Sequence, residues 1–180
     1  MSNMSGTYEI GPSAGRVLVR TGREGLAAKV GHDLTIEITR WSARVTVPDA
    51  VGGGLHAAAL HVELDLGSLA VREGTGGAKP LTDKDRGDIQ GTAAKILGAS
   101  AAATYASTKF VPEMGTIEGT LTLNGTTRPL NLQVDNPAPG QYRGSATIRQ
   151  TDFGITPYSG FLGALKLKDD IAVQFDVTLG

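Results

Sequence analysis

Cysteine is absent from the 180 residues, which removes disulfides as staples and thiolate as a zinc ligand. A single domain of this length buries about 70% of its unfolded surface and does not need either. Aromatic residues are scarce at 5%, so an interior has to be built mainly from aliphatic and small side chains. Charge is balanced, with 17 Lys and Arg against 18 Asp and Glu and a net charge of -1. No long run of one sign exists, which argues against nucleic acid as the main partner. No stretch of 18 apolar residues occurs, so no transmembrane helix is expected. Residues 1–6 are short and polar, without the apolar core of a secretory signal. They are expected to be a disordered tail, with residues 7–180 as a single domain and the cytoplasm as the compartment.

What is present is alternation. Leu34, Ile36 and Ile38 alternate with Thr35, Glu37 and Thr39. Ala58, Leu60, Val62, Leu64 and Leu66 form one face of residues 55–69, the longest strand candidate. Tyr142, Gly144, Ala146 and Ile148 repeat the pattern, as do Ile171, Val173, Phe175, Val177 and Leu179. Period-two alternation marks a strand with one buried and one wet face. Asn124-Gly125 is the strongest hairpin signal, because both positions accept positive φ. Glycine, at 25 residues, suits many tight turns. One helix stands out: Thr82 as N-cap, Asp85 in the capping-box position, and a stripe of Ile89, Ala93, Ile96 and Leu97 before Gly98. The expected fold is all-β, an antiparallel eight-stranded lipocalin-like barrel with one inserted α-helix. Eight antiparallel strands must close or stack to hide their edges. A two-sheet sandwich is the alternative.

Catalytic and metal signatures are thin. The three histidines, His32, His56 and His61, show no ligand spacing, so no metal site is expected. Ser159-Gly160 lacks the preceding glycine of a nucleophile elbow. Residues 74–79 are glycine-rich, but Pro80 stands where a phosphate loop needs Ser or Thr, so no cofactor is expected. His32-Asp33 opens a strand and suits a structural or ligand-mouth role. Arg149 and Asp152 suit an ion pair or contact with a polar head. Apolar faces remain. Ala58, Gly119, Gly144 and Ala146 lie on them, and small inward residues leave volume unfilled, which offers an apolar tunnel. A packed lumen satisfies the same alternation.

The ordered set Gly31-His32-Asp33-Leu34, residues 72–77, residues 80–85, Phe110, Gly119, Leu121, residues 123–125 and Thr151-Asp152-Phe153-Gly154-Ile155 resembles the YceI-like proteins over residues 7–179. The family's first-turn histidine is missing, since Gly11-Pro12-Ser13-Ala14-Gly15 stands there. The resemblance implies a lipocalin-like barrel that binds a long isoprenoid chain in its lumen. The expected function is therefore binding of a polyisoprenoid or isoprenoid quinone, as carrier or storage protein and not as an enzyme. An interaction or dimerisation protein with a filled barrel, including a homodimer, is the alternative. A small-molecule enzyme working through His32 and Asp152 ranks behind it. The expected ligand-binding residues are Leu60, Val62, Leu121, Ala146, Ile148 and Phe175 on the faces. His32, Asp33 and Asp152 are placed at the mouth, and Phe153 and Tyr158 in a closing loop, residues 151–158, tied down by Asp152.

Overall fold

The computed structural model describes residues 4–98 and 102–180. Strands β1 (Gly6–Ile10), β2 (Gly15–Arg20), β3 (Arg23–Glu24), β4 (Asp33–Ile38), β5 (Trp41–Val47), β6 (Ala59–Asp65) and β7 (Leu69–Thr75) precede helix α1 (Asp83–Leu97). Strands β8 (Ala102–Val111), β9 (Thr116–Leu123), β10 (Thr126–Ala138), β11 (Gln141–Arg149), β12 (Ser159–Gly160), β13 (Leu165–Leu167) and β14 (Asp170–Thr178) follow. Of the six-residue tail expected from sequence, residues 1–3 lie outside the described residues and Gly6 already pairs with Val47.

The expected count of eight strands is corrected. Eleven strands form one antiparallel sheet in the order β1-β5-β6-β8-β9-β10-β11-β14-β2-β4-β7, curled into a half-barrel, and β12-β13-β3 form a small second sheet. The sheet is open at β1 and β7, and α1 packs on β7. Two local causes explain the miscount. The long strand expected over residues 55–69 is broken at Asp65, whose side chain accepts from the Gly67 amide while the Ser68 hydroxyl donates to its carbonyl. Such a local turn competes with the ladder, and β7 begins only after it. The second cause concerns the small sheet, whose β3, β12 and β13 are two or three residues long, too short to show a period.

Elsewhere local chemistry and fold agree. Asn124 (φ 53°) and Gly125 (φ 73°) make the turn from β9 to β10, the left-handed pair such a hairpin requires. Thr82 and Asp85 cap α1 reciprocally. On the outer face, opposite charges sit at register-matched positions: Glu9 with Arg44, Arg143 with Asp176, and Arg149 with Asp170. Each such exposed pair contributes at most about 1 kcal/mol, so their main effect is on register.

The interior is not close-packed throughout. Its largest buried cluster joins Ala103, Tyr105, Leu121, Leu123, Leu132, Ile148, Phe153 and Ile155. A second cluster gathers Val17, Ile38, Trp41 and Val177, and a third sets Leu34, Ile36 and Val71 against Leu81 and Ile89 of the helical region. Yet among the described residues no large side chain is shut off completely from solvent. Inward residues such as Leu60, Val62, Val173 and Phe175 are only half-buried. Such faces look onto empty space.

Candidate functional site

That space is a cavity of about 470 Å³ inside the curled sheet, within the roughly 300–1,000 Å³ range of small-ligand pockets. The period-two pattern builds its wall. Val17 and Val19 of β2, Ile36 and Ile38 of β4, Leu60 and Val62 of β6, Leu121 of β9, Ala146 and Ile148 of β11, and Val173 and Phe175 of β14 face it. Helix α1 supplies Ala93, Ile96 and Leu97. Among the described residues Asp135, itself exposed, is the one Asp, Glu, Lys, Arg or His that borders the cavity. The wall can therefore desolvate and hold an apolar chain, and it offers little to a charged one.

Small residues do not create the space in the way their size suggests. A side chain at Gly119 would collide with the Tyr105 hydroxyl and lie 2.6 Å from the Ala106 carbonyl, so that position is already filled. Gly144 is covered by the ring of Phe175. An aromatic ring laid across a strand glycine restores the packing the glycine lacks. Ala58 lies beside a short 3-10 turn and outside the wall. Of the four small residues singled out from sequence, only Ala146 faces the cavity. Tyr105 donates to the Leu130 carbonyl at 2.9 Å. Burial, with a smaller push from Glu118, raises its hydroxyl to about 12, so at neutral pH it is a fixed donor and no acid.

The two ends of the cavity differ. At one end, Thr21, Gln150, Ile155, Tyr158 and Leu167 line it, beneath the small sheet of β3, β12 and β13. We refer to this as the cap end. Tyr158 is 39% exposed and also part of the wall, and its carbonyl accepts from the Leu167 amide. At the other end, the turn end, Met4, Leu55, Pro112, Thr116, Asp135 and Asn136 line it. There the Tyr142 hydroxyl donates to the Met4 sulfur, so the first strand's lead-in reaches the lumen.

The structure brings seven of the eleven expected site residues to one wall: Leu60, Val62, Leu121, Ala146, Ile148, Tyr158 and Phe175. The other four lie elsewhere. Phe153 is 3% exposed and packs with Leu121 and Ile148, off the wall itself. His32 contacts the Lys79 carbonyl at 2.6 Å and lies against Gly77, fastening the connector to α1. Asp33 pairs with Arg23, 3.5 Å away, which also donates to the Gly31 carbonyl. Neither residue reaches the cavity. Asp152 is corrected as the tie of the closing loop: it contributes its backbone carbonyl to Arg128. The tie is Asp169, which accepts from the Thr151 amide and hydroxyl and is held below the usual carboxylate range chiefly by that hydroxyl. Arg149 pairs across the ladder with Asp170 rather than with Asp152, and that hydrogen bond raises its guanidinium further. Sequence reasoning missed the polar wall residues Thr116, Asp135 and Asn136. Asn136 reads as the start of a turn running to Gly140, whereas β10 continues to Ala138, four residues past the last alternating position, Val134. It also gave α1 no role at the cavity.

Among the described residues no group of His, Asp or Glu is placed to hold a metal ion, and no helix is long and apolar enough to cross a membrane.

Comparison with solved structures places the fold. Burkholderia cenocepacia BcnA is similar with a TM-score of 0.60 and 16% identity, over 91% of this chain and 94% of that one. A mutant CJ YCEI protein crystallised with a monobromobimane guest gives 0.50 and 18%, over 81% and 84%. At these identities the likeness is one of fold. A search of curated proteins returns no match. The YceI-like domain profile matches residues 8–179, nearly the whole curled sheet and its inserted helix, and the chain belongs to the YceI-like family.

Proposed function

We propose that this protein binds a long, single-chain apolar lipid of the isoprenoid type in the cavity, as a carrier or store. One observation carries the reading: the cavity of about 470 Å³ is lined from Met4 and Leu55 at one end to Tyr158 and Leu167 at the other, mainly by aliphatic residues. Each buried CH2 contributes about 0.8 kcal/mol, so a chain of many such groups binds tightly without a strong polar contact. Leu60, Val62, Leu121, Ala146, Ile148 and Phe175 contact the chain, and Tyr158 closes over it. Thr116, Asp135 and Asn136 border the turn end, where the polar end of the ligand would leave the lumen. His32 contacts the Lys79 carbonyl and Asp152 gives its backbone carbonyl to Arg128, and neither residue lines the cavity.

The test is extraction of natively purified protein with organic solvent, followed by mass spectrometry. A stoichiometric isoprenoid is the expected result. A clean extract, together with failure of the purified protein to take up a polyprenyl probe, would sink the reading.

A further inference from the structure

Four of the large apolar side chains exposed in this protein, Leu26, Val30, Tyr158 and Leu162, lie at the cap end. Leu26 and Leu162 are fully exposed. They occupy two loop tips that touch, since the Ala27 amide donates to the Ala164 carbonyl at 2.8 Å. Leu162 is at the tip of the β12–β13 hairpin, and the stem of that hairpin carries Tyr158 and Leu167 onto the cavity wall. Its backbone is left-handed, with φ 54° and ψ 35°. That conformation suits glycine or asparagine and is unfavourable for leucine, yet leucine stands there with its side chain in water.

Lysines flank these tips. Lys29, Lys166 and Lys168 are exposed and form no ion pair among the described residues. Glu24, in register with Lys166, opposes them at the tips, and Asp152 and Asp169 lie behind, on the closing loop and the lead into β14. In a chain whose net charge is -1, this leaves a small excess of positive charge at the tips themselves. Apolar tips ringed by lysine match the interface of an anionic bilayer, with side chains entering the acyl boundary and ammonium groups meeting phosphates.

We propose that the cap end docks onto anionic lipid bilayers, so that the Tyr158 mouth opens toward the membrane. The docking rests on the cap's own residues. Its use in exchanging cargo rests on the lipid-binding reading above.

The test is co-sedimentation of the full chain with vesicles of equimolar phosphatidylglycerol and phosphatidylcholine, and with vesicles of phosphatidylcholine alone. The expected result is binding to the anionic vesicles, weaker by about tenfold on the neutral ones and weakened by salt. Leu162→Asn suits the left-handed backbone, so it keeps the thermal midpoint while lowering vesicle partition by about fivefold or more. Reversing Lys29, Lys166 and Lys168 to Glu together lowers it by more than about tenfold. Met114→Asn, an exposed position at the opposite end, leaves it unchanged. Ala146→Trp, which obstructs the lumen, docks like the parent. Docking by a protein that yields no lipid on extraction supports this proposal while removing the cargo reading. A lipid-loaded protein that ignores anionic vesicles overturns the proposal alone. Parent-like binding by a folded Leu162→Asn variant also overturns it. So does self-association abolished by that variant without vesicle binding, which would mean that a second copy covers the tips.

Discussion

The two ends of the cavity are built from the same alternating strands and finished in opposite ways. The cap end is closed by long insertions: the β12–β13 hairpin, the loop from Gln150 to Tyr158, and α1 across the gap beside β7. It is rimmed by lysine. The turn end is closed by short connections, residues 48–58 and 112–115, with Met4 reaching in. Its carboxylates Asp49, Glu113 and Asp135 are accompanied by Lys109 and Arg143, and His56 holds Glu113 across the two connections. That hydrogen bond keeps the Glu113 carboxyl below its usual range. The difference teaches that a barrel wall and a barrel lid follow different rules. The wall is set by periodicity and register, whereas the lid is set by individual side-chain ties that vary without disturbing the wall.

The comparison breaks most sharply at Phe153. If the cap end is anchored in the core through this ring, Phe153→Ala costs about 3–5 kcal/mol, read as a large fall in the denaturant midpoint. His56→Ala at the turn end moves that midpoint little, because an exposed pair contributes under about 1 kcal/mol. Equal losses would show that both ends share one anchor. Next in size is the route of the ligand. Tyr158→Ala is expected to speed release of a bound polyprenyl probe about tenfold, since affinity changes reside mainly in the off-rate. Leu55→Ala, on the wall at the other end, leaves release near the parent value. The reverse ranking would move the mouth to the turn end. The smallest effect concerns pH. The folded-state value of Asp169 is depressed by Thr151, so its stabilising contribution is present above the ordinary carboxylate value and is lost as pH falls through the lower, folded value. Amide exchange at residues 150–155 is therefore expected to rise in acid relative to β9. Asp169→Asn should give the same rise at neutral pH. Unchanged exchange in both cases would remove Asp169 as the tie.

Much of this architecture was legible beforehand, for identifiable reasons. Strand β9 coincides with the run from Thr116 to Leu123 because its alternation is unbroken and Asn124-Gly125 ends it. Helix α1 coincides with its capping box and its stripe. The wall residues of β6, β9, β11 and β14 followed from the same period. The lid was not legible, because strands of two or three residues carry no period and the pairing of β13 with β3 spans more than 130 residues of chain. The occupancy of the lumen was not legible either. Gly119 and Gly144 mark gaps along their own strands, and only the neighbouring strands reveal that Tyr105 and Phe175 fill them. Asp152 was chosen as the tie because it lies within the loop, whereas the tie comes from Asp169 on the segment leading into β14, 18 residues away.

The absence of any fully sealed large side chain among the described residues makes the cargo part of the protein's own thermodynamics. An occupied lumen removes from water the half-buried faces of Leu60, Val62, Val173 and Phe175, so loading carries a negative heat-capacity change. It also raises resistance to unfolding by about 2.7 kcal/mol when free ligand is a hundredfold above its dissociation constant. The emptied molecule is the more easily melted and the more easily proteolysed form. On the lipid-binding proposal, supply of lipid would in this way set how long each copy of the protein survives.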